Sequence, residues 1–200
     1  HYIDGRIEPE DGISSIVKTV NGGRRDVLDP SGFDAVVFFA ARLRLREFLH
    51  HALHRRLDPS AFITAAVRAR TLDAVVQSSR FGRAALDMAA RGHKVIFAVG
   101  PFLTEGVTEA PLRNTPMAAA ATAQDRDALW REIEAYFADR DVTFLRQRDD
   151  TVVGGCLTDG RFAIEGAAEI GDTVHKSPAY GRIVLEQVFD ALEAGQESAK

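Results

Sequence analysis

Apolar residues in this chain change their spacing several times, and each change marks a boundary. Phe33-Asp-Ala-Val-Val-Phe-Phe-Ala40 is a short run rich in β-forming residues after the turn signal Asp29-Pro-Ser-Gly32, and it predicts a buried strand. Leu45, Phe48, Leu49, Ala52 and Leu53 then recur at helical spacing. That pattern stops before Asp58-Pro59, where a proline at the first helical position predicts the start of a second helix. From Ala61 to Ala90 the period stays helical, with Gly82 as the expected break and Gly92 as the C-terminal cap. Lys94-Val-Ile-Phe-Ala-Val99, ended by Gly100-Pro101, predicts the next strand.

Phe102 to Ala121 has no sustained period and is broken by proline and glycine, so it reads as a long loop of the kind that shapes binding sites. Thr122 with Asp125 has the form of a capping box, and Leu129, Trp130, Ile133, Tyr136 and Phe137 give the helix behind it one apolar face. Val142-Thr-Phe-Leu145 predicts another strand. The last helix starts at Ser177 as N-cap and Pro178 as first helical residue, with Tyr180, Val184, Leu185, Val188, Phe189 and Leu192 facing inward before Gly195. Strands alternating with helices predict an α/β fold of three layers, a mostly parallel sheet with helices on both faces. There is no internal repeat.

The chain has 200 residues, 46% of them hydrophobic, enough to bury the core of one domain spanning 1–200. No stretch approaches the roughly 20 apolar residues of a membrane span, and HYIDGRIEPE lacks the layout of a secretory signal, so a soluble, cytoplasmic chain is expected. A single cysteine, Cys156, excludes an intramolecular disulfide and a cysteine-rich zinc knuckle. The net charge of −4 gives no overall attraction for nucleic acid; the arginines between Arg42 and Arg91 read as solvated helix faces, and no nucleic-acid partner is expected. The chain begins at His1 rather than methionine and runs at once into a possible short strand at Tyr2-Ile3, so an upstream piece is expected.

In parallel sheets ligands bind beyond the carboxyl ends of the strands, and that rule sorts the histidines. His93 stands just before a strand, at the opposite end, and reads as a surface residue. His50 and His54, at i,i+4 on one helix with His51 between them, could share a metal, but no third ligand and no HExxH pattern accompany them; they read as solvated, and no metal or other cofactor is expected. His175 differs. It follows Asp172 by three residues, in a loop just before a capped helix. A carboxylate there can accept the Nδ1 proton of the ring, fix the tautomer, and leave Nε2 to take a proton from a hydroxyl.

The whole segment Gly171-Asp-Thr-Val-His-Lys-Ser-Pro-Ala-Tyr-Gly181 resembles the last block of the SGNH (GDSL-type) hydrolases, with Asp172, His175, Ser177, Pro178, Tyr180 and Gly181 in matching positions. The resemblance extends in order of elements over roughly 33 to 194. It implies a flavodoxin-like sheet, no cofactor, Asp172 and His175 as the acid–base end of the site, and a small-molecule, saccharide or lipid ester as substrate. The family's Gly-Asp-Ser block does not occur. Ser14 and Ser15 follow no strand, Ser31 lies in a turn, Ser60 at a helix start, and Ser78 and Ser79 inside a helix, so none is nominated as nucleophile. The family's oxyanion-hole glycine and its Gly-x-Asn-Asp-like block are also missing. Ala40-Ala41-Arg42 stands in that block's place, with Arg42 a candidate to meet an anion. Two readings stay open. In one, Tyr2-Ile3 is the second strand and an upstream segment carries the first strand and the serine; in the other, Tyr2-Ile3 is the first strand of a noncatalytic relative that binds a ligand or partner in the same cleft.

Overall fold

The computed structural model describes residues 2–197 except positions 10, 11, 21, 24, 25, 40–42, 44 and 62. An antiparallel hairpin, β1 (Tyr2–Ile3) and β2 (Arg6–Ile7), precedes α1 (Ser14–Val20). Strand β3 (Val36–Phe39) leads to α2 (Leu45–Leu57), α3 (Ala65–Ser78) and α4 (Arg80–Ala90). Then come β4 (Val95–Ala98), α5 (Ala123–Ala138), β5 (Val142–Leu145), the hairpin strands β6 (Val152–Val153) and β7 (Leu157–Thr158), α6 (Ala167–Ile170) and α7 (Pro178–Glu197). Among the described residues no helix is long and apolar enough to cross a membrane.

The centre is a three-stranded parallel sheet in the order β3-β4-β5, flanked by helices. Alternation along a strand sends Val36 and Phe38 of β3, Val95 and Phe97 of β4, and Val142 and Phe144 of β5 into the main core with α2, α4 and α5. Register places Phe38, Phe97 and Phe144 side by side across the sheet. Their rings stack at 5.7 and 6.4 Å, with Phe137 of α5 only 4.9 Å from Phe144. Adjacent rings in this row each remove a large apolar area from water, about 2–3 kcal/mol per fully buried side chain. Strands laid down in one direction with crossovers of one hand put their helices on one face. The other face carries α7, whose Tyr180 and Val184 close over Ala98 together with Phe162 as a second, smaller cluster.

That second face is only half covered. β3 pairs β4 along one edge and has no strand on the other among the described residues. Val37 and Phe39 of β3, and Leu185 and Phe189 of α7, are exposed.

Several elements differ from the sequence expectations. Leu185 and Phe189, expected to face inward, lie outside because α7 meets the sheet with a narrow strip over β4 and β5. Tyr2-Ile3 belongs to neither the first nor the second position of the main sheet. Asp4 and Gly5, both at positive φ, form a tight two-residue turn that folds the strand back on Arg6–Ile7 as a separate hairpin. Pro59 starts no helix; the next one begins at Ala65, where the Thr64 hydroxyl accepts from Val67 N–H. The break between α3 and α4 falls at Ser79, and Gly82 instead permits close approach, since a Cβ there would lie 2.4 Å from the Val76 carbonyl. The long loop contains a 3₁₀ segment at Pro116–Ala120 packed on α2. The capping box of Thr122 and Asp125 forms as expected, and α7 starts at Pro178, although the Ser177 hydroxyl is buried without a hydrogen-bond partner. Ala40-Ala41-Arg42, and with it the candidate anion contact of Arg42, lies outside the described residues.

Candidate functional site

Residues 172–176 form a turn whose polar groups are largely satisfied by its own side chains. The Asp172 N–H returns to the Ala167 carbonyl at 2.9 Å, fixing the turn to α6. Oδ1 of Asp172 then accepts from the backbone N–H groups of Val174 and His175, each at 2.9 Å, the side-chain-to-backbone pattern that makes aspartate a turn former. The other carboxylate oxygen, Oδ2, lies 2.7 Å from Nδ1 of His175. The His175 amide and ring, followed by the Val174 amide, hold the Asp172 carboxyl down at about 2. The carboxylate is therefore ionised at neutral pH and can only accept, which in the neutral form of the ring places the proton on Nδ1 and the lone pair on Nε2. The His175 side chain is 76% exposed, that of Asp172 only 17%. The two expected site residues thus come together, with the ring standing clear of the surface.

The turn sits at the carboxyl ends of the strands. After β4, Gly100-Pro101-Phe102-Leu103 carries the chain to Thr104, whose N–H and Oγ1 both donate to the Thr173 carbonyl, at 2.9 and 3.1 Å. Thr104 also bridges Thr158, and Lys176 bridges Ala163. Lys176 folds back so that Nζ donates to the Thr173 carbonyl at 3.0 Å and to the Val174 carbonyl at 2.8 Å. Burial, reinforced by the positive charge of Arg46 in the first turn of α2 and opposed by Asp172, brings the Lys176 ammonium down to about 8. Lys176 and Thr104 carry no motif signal in the sequence.

The serines have local uses. The Ser14 hydroxyl bonds Asp26, Ser31 bonds Asp29, Ser60 bonds Asp58, and Ser78 bonds the Val75 carbonyl. None of these hydroxyls is directed at His175. A groove of about 850 Å³ runs between α2 and α3, past His51, Arg55 and Val67; His175 does not line it.

Of the other histidines, His51 is exposed as expected and His50 is placed differently. His50 is not solvated: it is 7% exposed and its ring stacks on Phe102 at 5.6 Å. Helix α2 is enclosed on several sides, by α3, α5 and the 3₁₀ segment at 116–120, so a position beside its apolar stripe is also covered. Burial first, then the Arg46 charge, push the His50 imidazole down to about 4, and its Nε2 has no hydrogen-bond partner. His54 accepts from the Met117 N–H at its Nδ1, 3.3 Å away. The i,i+4 pair is thus divided between a ring stack and a loop contact. His51 is exposed and His93 half-buried. Cys156 is buried and reduced, and desolvation pushes its thiol up to about 12, far from a nucleophilic thiolate.

Comparison of the chain with protein-family models, with curated proteins and with solved structures finds no match.

Proposed function

We propose that Asp172 and His175 are the orienting carboxylate and general base of an SGNH-type serine ester hydrolase, with the nucleophile absent from this chain. The observation that carries the reading is the 2.7 Å contact between Asp172 Oδ2 and His175 Nδ1 beneath a ring whose other nitrogen is open to solvent. In the reaction a serine Oγ attacks the ester carbonyl while Nε2 of His175 takes its proton. The imidazolium, stabilised by Asp172, then gives that proton to the departing alcohol. Water enters, loses a proton to the same nitrogen, and releases the carboxylic acid as the serine recovers its hydrogen. No cofactor is required, and the substrate is a small-molecule, saccharide or lipid ester.

The half-covered sheet supports the placement of the missing part. A parallel sheet is stable with both faces covered, and a strand against β3 with its helix over Val37, Phe39, Leu185 and Phe189 would cover them. Such a strand would end near the same carboxyl-end loops as the Asp172 turn, where a serine following it could meet Nε2.

Hydrolysis of short-chain p-nitrophenyl esters tests the reading, comparing the chain as it stands with a form extended upstream. Activity in the extended form alone, abolished by His175→Ala, is expected. Equal inactivity of both, with the extended form correctly folded, overturns the hydrolase assignment in favour of a noncatalytic binding role.

A further inference from the structure

We propose that Lys176 is a positioning residue, its ammonium clamping the Thr173 and Val174 carbonyls so that the turn presents His175 in one orientation. The catalytic consequence rests on the hydrolase reading above; the clamp itself does not.

Two of the peptide carbonyls between Asp172 and His175, those of Thr173 and Val174, and two of the peptide N–H groups, those of Val174 and His175, bond to side chains of the turn itself. Asp172 takes both N–H groups and Lys176 takes both carbonyls, so an anion and a cation hold the segment from opposite sides. Charge-assisted bonds are the stronger kind, and here they act on consecutive peptide units. The Thr173 carbonyl also receives both donors of Thr104, a fully buried residue, so that side of the turn is fixed to the body of the molecule. Among the described residues the Val174 carbonyl accepts from Lys176 alone, and Val174 itself is exposed. The peptide immediately before His175 is therefore held at its N–H by Asp172 and at its carbonyl by the ammonium. The backbone of the same residues is stitched down separately, with Ser177 N–H on the Phe162 carbonyl at 2.8 Å and Lys176 bridged to Ala163. Loss of the side chain would thus loosen the turn and leave its anchors in place.

The test is made on the full chain with Lys176→Met and Lys176→Gln, which keep part of the stem without the charge, and with Lys176→Arg. Amide exchange at Val174 and His175 is expected to rise about tenfold in the first two, the scale of one charge-assisted bond lost at an exposed turn, with broadening of the Nδ1 proton signal of His175 at low temperature. Lys176→Arg is expected to restore both. Exchange and Nδ1 signals unchanged in either folded uncharged variant would overturn the clamp. In the extended, ester-cleaving form, Lys176→Met is expected to lower kcat about tenfold with KM unchanged, as for a residue that orients the base. An inactive extended parent would count against the hydrolase reading alone, because the exchange measurements decide the clamp independently.

Discussion

The side-chain amide of Gln147 donates to the hydroxyl of Thr158 at 3.1 Å, and both residues are shut off from solvent. The same amide donates to Thr151 Oγ1 at 3.0 Å, while Oε1 accepts the Phe102 N–H at 2.8 Å. Thr158 returns a bond to the Phe102 carbonyl at 2.9 Å, and its backbone pairs with Leu103 and Glu105. The loop after β4 is thereby fastened to β7, and Thr104 within it carries the site turn.

Replacing Gln147 with leucine would remove all three side-chain bonds and leave the buried Phe102 N–H without an acceptor. A loss of about 3 kcal/mol is expected in urea unfolding, because an unsatisfied buried donor costs its full desolvation. Thr158→Val should lose less, about 1–2 kcal/mol, since fewer groups are orphaned. A Gln147→Leu chain as stable as the parent would refute this assignment of the network.

His50 should make the protein sensitive to mild acid. Its folded value of about 4 lies below the ordinary 6.5, so the unfolded chain binds the proton first. The groups acting on it besides burial are Arg46, His51 and the Cys156 backbone, the last opposing the shift. Its contribution is fully present above pH 6.5, falls as pH drops towards 4, and amounts to about 3 kcal/mol across that window. Urea titrations at neutral and acid pH should show this slope, and His50→Phe, which keeps a ring against Phe102, should flatten it.

Asp172 titrates in a lower window. Its carboxyl is depressed from 3.8 to about 2, so its bonds to the turn persist above the ordinary value and are lost as pH falls towards the depressed one. The Val174 and His175 amide shifts should move together with a midpoint of about 2. In Asp172→Asn the ring nitrogen shifts of His175 should report loss of the single Nδ1–H tautomer, and ester cleavage by the extended form should fall by about 10³–10⁴-fold. A ring that keeps its tautomer in the asparagine variant would contradict the orienting role.

The uncovered flank of the sheet should make the chain self-associate. Val37 on β3, which has no strand on its outer side among the described residues, and Leu185 and Phe189 on α7 present apolar surface at this flank. Val37→Lys and Phe189→Lys are each expected to reduce the concentration dependence seen in sedimentation, with stability changed by about 0.5 kcal/mol or less. Undiminished association in both variants would place the contact elsewhere.

Signals that are local in the chain were readable from sequence. The strand at Val142–Leu145, the capping box at Thr122 and the proline that opens α7 depend on neighbours a few residues away, and all three form as expected. The Asp172–His175 contact was legible for the same reason, being an i,i+3 relation within one turn. Asp4-Gly5 between Tyr2-Ile3 and Arg6-Ile7 is likewise a hairpin turn by composition, a signal as local as these. Burial of His50, by contrast, depends on residues 116–120 arriving over α2 from far along the chain, and periodicity carries no trace of that. Leu185 and Phe189 have the spacing of a buried face, but how wide a face the sheet can cover is set by the number of strands beneath it. Gln147, Thr158, Thr104 and Lys176 are polar residues in irregular segments, and only the fold shows which carbonyls they reach.

The division of the interior has a thermal consequence. Phe162, Tyr180, Val184 and Ala98 make up a pocket-sized nucleus of their own, apart from the stacked rings on the opposite side. Segments that rest on few apolar neighbours open at lower free energy than those in a large core. On gentle warming, the C-terminal portion bearing the imidazole should detach and re-dock while the aromatic row stays intact, so that loss of the site would precede, and be separable from, melting of the molecule.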